Sequence, residues 1–232
     1  MIVGFLSDAH GNEGALLKGL DTLRGLGADR LFYLGDSVGY VPSKSVLVRL
    51  SERAPVIQCV RGNHEALLLH DSHSPEEELV YLLRYTRGLL SKKELEFLVS
   101  WPSEIREEID GNVLLLVHGS PSDPISGYVY PDTDLSQFSP QSDFVFMGNT
   151  HHPMVSEFGP TTYVNVGSCG LPRDDGRFGS VALLDTYSRK VNIYRFNIER
   201  ETREMFDTFH MIHPSVRELF SRRSDNLKGE IL

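Results

Sequence analysis

Five short polar blocks hold the residues of this chain that could do chemistry: Asp8-x-His10, Gly35-Asp36, Gly62-Asn63-His64-Glu65, His118-Gly119 and Gly148-Asn149-Thr150-His151-His152. Together they offer carboxylates, imidazoles and carboxamides, and no thiolate. Mixed oxygen and nitrogen donors of this kind suit Mn, Fe, Zn or Ni. Two such ions held about 3.5–4 Å apart need a carboxylate able to bridge them and imidazoles to complete each shell, so the inventory fits a two-metal hydrolytic site. Asp8-x-His10 alone is a weak signal, because either residue also serves to cap a following helix. Gly-Asn-His-Glu is stronger, and the ordered set of five is stronger than any member. Loop hydrogen bonding and helix capping are the competing reading of Asp36, Asn63, His64 and His118, and they give no reason for the order.

Positioning these blocks requires elements that end where the blocks begin. Residues 2–7 are an apolar run of strand type ending at Asp8, after which Ala15, Leu16, Leu20, Leu23 and Leu26 recur at helical spacing. The unit repeats, with a strand over 30–34 ending at Gly35-Asp36, a helix over 43–53, and a strand over 56–60 ending at Gly62-Asn63-His64-Glu65. Alternating strands and helices predict a parallel sheet, and α/β sheets place their ligands at the carboxyl ends of such strands. A helical stretch follows from about 76 to 100. Strands then dominate over 113–117, 144–147, 161–166, 179–185 and 190–196, the last two joined by a turn around Thr186-Tyr187-Ser188-Arg189. The tail from 201 to 232 reads as helical with Val216, Leu219 and Phe220 on its apolar face, then turns polar and is expected to fray.

Composition bounds the setting. With 232 residues the chain is long enough for one large domain with a small appendage. Lys plus Arg number 23 against 32 Asp plus Glu, and the net charge of -9 argues against stable nucleic-acid binding or an anionic membrane partner. The aliphatic run Val113-Leu114-Leu115-Leu116-Val117 falls far short of the ~20 residues of a membrane span. No basic, apolar leader opens the sequence, so a cytoplasmic protein is expected. Cys59 and Cys169 stand far apart and are expected to be reduced.

The five blocks resemble the calcineurin-like metallophosphoesterase superfamily, whose pattern is D-x-H, G-D, G-N-H-D/E, a lone H, and G-H-x-H. The match runs from Asp8 to His151. Gly35-Asp36-Ser37-Val38-Gly39-Tyr40-Val41-Pro42 and Asn165-Val166-Gly167-Ser168-Cys169-Gly170-Leu171-Pro172-Arg173 are similar to the small bacterial and archaeal phosphodiesterase branch, over about residues 1–198. The resemblance implies an α/β fold, a four-layer α/β/β/α sandwich of two mixed sheets with helices outside, over residues 1–198, followed by a helical C-terminal extension over 199–232. It implies a dimetal phosphoesterase, with Asp8, His10 and His151 on the first ion, Asp36 bridging, and Asn63 and His118 on the second. A hydroxide bridging the ions would attack phosphorus in line, with His64 beside the phosphate as acid or charge stabiliser.

Two departures from that pattern qualify the expectation. Asn149 replaces the first His of G-H-x-H, so the second ion exchanges an imidazole for a carboxamide oxygen. That shell is harder and weaker, and it shifts the preferred ion toward Mn²⁺ or Mg²⁺, with Mn²⁺ ahead of Mg, Fe, Ni and Zn. His152 could stand in for the missing imidazole only through a backbone slip. In addition, the Arg that phosphoprotein phosphatases carry shortly after G-D is absent, and Gly39-Tyr40 occupies the stretch. Losing that bidentate clamp costs a dianionic monoester more than a monoanionic diester, so a phosphodiester is favoured, unless Arg61, Arg173 or Arg177 restores the charge. The expected partner is a small phosphate ester or nucleotide. A phosphomonoesterase or phosphoprotein phosphatase is the rival enzyme, and a non-catalytic scaffold of the same fold is the rival from another class.

Other residues carry weaker expectations. Arg173 and Tyr40 are candidate substrate contacts, although Arg173 could instead pair with Asp174 or Asp175. Tyr40, Tyr128 and Tyr130 are more often packing residues than base-stacking ones. His70, Asp71 and His73 read as a solvated loop, and His210 and His213 as structural or exposed.

Overall fold

The computed structural model of the chain describes residues 1–54 and 56–232. The first apolar run forms β1 (Ile2–Leu6), and the helical spacing after it forms α1 (Glu13–Gly25), opened by Asn12, whose side chain accepts from the Ala15 amide at 3.2 Å. β2 (Arg30–Tyr33), α2 (Ser45–Glu52) and β3 (Ile57–Cys59) repeat the unit. The three strands are parallel, with Phe5 opposite Phe32 and Phe32 opposite Gln58. α3 (Asn63–His70) starts directly at the Gly-Asn-His-Glu block. The expected helical stretch over 76–100 is divided into α4 (Pro75–Tyr81), α5 (Leu83–Leu89) and α6 (Lys92–Val99). Its breaks have local causes: Leu82 is left-handed, with φ of 53°, and Ser91 opens a fresh helix through a capping box with Glu94.

Strands dominate the second half, as β4 (Glu104–Ile109), β5 (Asn112–Val117), β6 (Phe144–Met147), β7 (Met154–Phe158), β8 (Thr161–Asn165), β9 (Phe178–Asp185) and β10 (Lys190–Asn197). β4 and β7 have no counterpart among the sequence expectations. Both are antiparallel edge strands whose outward residues include Glu104, Arg106, Glu108 and Glu157, so neither shows an apolar run. The extension supplies α7 (Glu199–Thr208), α8 (Pro214–Leu219) and β11 (Glu230–Ile231). The polar end does not fray as expected. β11 joins β10 in parallel, with Tyr194 opposite Glu230, through backbone pairing that leaves no mark in side-chain patterning.

Two mixed sheets result, with strand orders β11-β10-β9-β1-β2-β3 and β4-β5-β6-β8-β7. They pack face to face through Phe5, Phe32, Leu116, Phe146, Val164 and Leu184, with the Phe5 and Phe146 rings stacked at a 3.7 Å centroid separation. The helices cover the outer face of the first sheet through Leu16, Leu20, Leu47, Leu83, Leu98 and Val216. Segment 118–143 covers the outer face of the second, placing Val129, Leu135 and Phe138 on Leu115, Val145 and Tyr163. The architecture is the expected α/β sandwich of two mixed sheets flanked by helices. Among the described residues no helix is long and apolar enough to cross a membrane.

Candidate metal centre

All five polar blocks meet at one end of the sandwich. Asp8 and His10 follow β1, Asp36 follows β2, Asn63 and His64 open α3 after β3, His118 follows β5, and Asn149 and His151 follow β6. β1, β2 and β3 run parallel in one sheet, and β5 and β6 in the other, so both sheets direct carboxyl ends to the same place. Asp8, His10, Asp36, His64, His118, Asn149 and His151 are all buried. Asp8, His10, Asp36, Asn149 and His151 adopt left-handed backbone with φ between 46° and 62°. Such conformations cost energy in non-glycine residues and persist where surrounding contacts impose them.

The side chains form three overlapping groups, Asp8–His10–His151, His10–Asp36–His64 and Asp8–Asp36–His118, with the ligand atoms of each within 4.8 Å of one another. Asp36 lies at the junction: its Oδ2 is 3.4 Å from His118 Nε2, 3.6 Å from His10 Nε2 and 3.9 Å from His64 Nε2. Asn63 Oδ1 lies 2.9 Å from His118 Nε2. The Nδ1 atoms of His10, His118 and His151 are occupied by the carbonyls of Val38 (3.0 Å), Leu34 (2.6 Å) and Leu171 (2.5 Å). That arrangement fixes the rings and turns each Nε2 inward, as outer contacts do for metal-binding imidazoles. Asp8 Oδ1 is buried, 3.2 Å from His151 Nε2, and has no hydrogen-bond donor. An orphaned buried carboxylate oxygen facing inward imidazoles is costly unless a cation answers it, so the donor set fits divalent ions.

Electrostatics agree. Burial opposes ionisation of Asp36, but the imidazoles of His118 and His64 outweigh it and hold the carboxyl well below the usual range. Asp36 in turn lifts His118 to about 10 against its own burial, a proton that cation binding would displace. For His10 and His64 burial dominates, lowering the former and taking the latter to about 4, so both rings are neutral near pH 7.

Glu65 is a positioning residue that the sequence reading left without a role. Its carboxylate accepts from the backbone amides of Asp36 (2.8 Å), Ser37 (2.6 Å), Val38 (3.3 Å) and Gly62 (2.9 Å), and from Ser37 Oγ (2.8 Å). Burial, followed by the nearby Asp36 carboxylate, pushes it up to about 7, against the pull of these donors. The donors all call for an acceptor, which ties the loop after β2 to the start of α3. His64 N donates to Asp36 Oδ1 at 2.9 Å and completes that tie. The only hint in the sequence was Glu65 as the last letter of its block. Gly39 has φ of +91°, and a Cβ there would overlap His64 Nδ1.

The remaining candidates divide clearly. Asn149 donates its carboxamide nitrogen to Gly127 O (2.8 Å) and Ser126 O (3.3 Å), leaving the oxygen as the end available to a cation. His152 lies outside the three groups and lines a neighbouring cleft. Arg61 is held by the Val99 and Trp101 carbonyls, and Arg177 by Asp175. Arg173 donates to Tyr40 Oη at 3.0 Å, while its neighbour Asp174 pairs with Arg195. Tyr40 packs its ring edge-on to His10 at 4.7 Å and lies 4.8 Å from His64. Arg173 and Tyr40 therefore sit at the rim of the centre. His73 departs from the expected solvated loop: it is buried with Nε2 2.6 Å from Glu78, because the capped start of α4 folds over it. Asp71 pairs with Arg84, so His70, Asp71 and His73 form no site. His210 is exposed, and His213 caps α8.

Comparison with known proteins matches residues 1–189 to the model of the calcineurin-like phosphoesterase superfamily domain. An uncharacterized protein of Methanocaldococcus jannaschii, MJ0912, is 30% identical over 217 residues, covering 84% of this chain and 86% of that protein. Among solved structures, hypothetical protein PH1004 from Pyrococcus horikoshii OT3 superimposes with a TM-score of 0.80 at 20% identity, covering 94% of this chain and 97% of its own. A metallophosphoesterase from Sphaerobacter thermophilus gives a TM-score of 0.74 at 24% identity, covering 95% and 99%.

Proposed function

The chain belongs to the calcineurin-like phosphoesterase superfamily, and we propose that it hydrolyses a small phosphate ester, a diester in preference to a monoester, at a centre of two divalent ions. Asp8, His10 and His151 would hold one ion and Asn63, His118 and Asn149 the other, with Asp36 placed to serve both. The observation that carries this reading is Asp36 Oδ2 within 3.4–3.9 Å of three imidazole nitrogens, beside the unpartnered Asp8 Oδ1. When bound, the two ions supply an activated water and neutralise charge on the phosphoryl oxygens. Manganese would suit the second ion's site best, since Asp36, Asn63 and Asn149 would offer it oxygens and His118 one imidazole.

The protein's own groups do the rest. Buried carboxylates and inward Nε2 atoms fix the positions of charge before substrate arrives, so little reorganisation is needed during reaction. His64, neutral and free of metal, presents its ring toward the phosphate and donates a hydrogen bond to the departing oxygen. Arg173, steadied by Tyr40, offers one guanidinium at the rim. One guanidinium matches the single charge of a diester, and the cleft beyond Tyr40 leaves room for a second ester group that a monoester lacks. Both cysteines are buried and unpaired, in keeping with work in the cytosol.

Hydrolysis of bis(p-nitrophenyl) phosphate and p-nitrophenyl phosphate by metal-stripped protein, with and without Mn²⁺, tests the reading. Mn²⁺-dependent turnover that is faster on the diester and lost in Asp36→Asn is expected. Faster monoester turnover would move the protein to the phosphomonoesterases, and no turnover on either ester would leave a scaffold.

A further inference from the structure

A cleft of about 650 Å³ begins one ring away from His64. One side consists of Tyr40, Val80 and Tyr81, with Tyr81 lying 4.6 Å from the His64 ring. Tyr130 and His152 form another side, and Tyr130 stacks on Tyr128 at 6.0 Å with an interplanar angle of 5°. The C-terminal extension closes the cleft with Val216, Glu218, Leu219 and Arg222. It is tied there through the loop that carries Arg173: Arg222 donates to Arg173 O at 3.1 Å, Gly176 N to Arg222 O at 3.1 Å, and Ser224 N to Asp175 Oδ2 at 3.1 Å. Arg173 itself keeps a buried Nε with no acceptor.

We propose that this cleft is a nucleoside subsite and that the extension is one of its walls, an inference that rests on the phosphoesterase reading of the adjoining centre. The chemistry of the lining selects the ligand. Tyrosine rings and the aliphatic surface of Val216 and Leu219 suit a flat aromatic base. Glu218 accepts N–H or O–H groups, and Arg222 and His152 meet carbonyl or ring-nitrogen acceptors, so both edges of a base or the hydroxyls of a ribose find partners. The volume is that of a small-molecule site.

The test is calorimetric titration of the full-length, Mn²⁺-supplemented protein with adenosine 5′-monophosphate and, separately, inorganic phosphate. Wild type is expected to bind the nucleotide about tenfold more tightly than phosphate, the worth of one stacked base. Arg222→Gln, from the extension, and Tyr130→Ala, from the opposite side, are each expected to lower that ratio severalfold. A nucleotide that binds no better than phosphate, or ratios unchanged in both variants, overturns the subsite. Selective nucleotide binding without turnover of any ester would uphold the subsite and overturn the hydrolase reading, so the two failures are distinct.

Discussion

Asp36 shows how one residue serves several demands at once. Its Oδ1 accepts from the His64 amide, its backbone amide donates to Glu65, and its Oδ2 is left facing three imidazoles. The residues around it are correspondingly intolerant. Gly39→Ala would require a Cβ where His64 Nδ1 sits and a side chain at φ of +91°. Such strain costs about 1–3 kcal/mol, which in a chain of this length lowers Tm by roughly 2–12 °C. Thermal denaturation is expected to show that loss together with reduced Mn²⁺-dependent turnover, and a variant as stable and active as wild type would contradict the packing. That the five polar blocks belong together was legible at this scale because their fixed order at strand ends has few other shared uses, and the structure brings them to one place. Glu65 was not legible, because its five donors come from residues 27 to 29 positions away as well as from its own turn.

Elements were legible where burial leaves an apolar run. β1, β2, β5 and β6 are such strands, and all of them end at site residues. The charged edge strands β4 and β7 and the two-residue β11 were not, since their place is set by partners. The loop between β8 and β9 is the element joining site to extension, and Asp175 is its clamp. Burial would raise Asp175, but the Arg177 guanidinium and the amides of Arg177 and Ser224 outweigh it and bring it down from 3.8 to about 2. A carboxylate depressed in the folded state contributes stability that is full above its unfolded value and disappears as pH falls through the folded one. Asp175→Asn is therefore expected to be less stable than wild type near neutrality, with the difference in Tm closing between about pH 4 and pH 2. A difference constant over that range would mean that Asp175 acts without its charge.

At the scale of the whole molecule, the two sheets are held to one another partly by what lies at their shared end. Asp8 and Asp36 come from one sheet and His118 and His151 from the other, so ions bound among them would cross-link the sandwich. A ligand present at a hundred times its Kd adds about 2.7 kcal/mol, which predicts that EDTA lowers the Tm of the Mn²⁺-loaded protein by roughly 5–10 °C and that of Asp36→Asn by less. Equal shifts in both proteins would place the ions elsewhere. The polar blocks, their order and most of the strands that end at them could be read along the chain, because period and residue chemistry are local properties. Only the tertiary structure decided that Arg173 rather than Arg61 or Arg177 reaches the rim, that Asn149 offers its oxygen, and that α8 lines a cleft beside His64. Apart from the Arg177–Asp175 pair, those outcomes depend on contacts between residues 20 to 180 positions apart, where the competing partners of each side chain are fixed by packing and by no pattern along the chain.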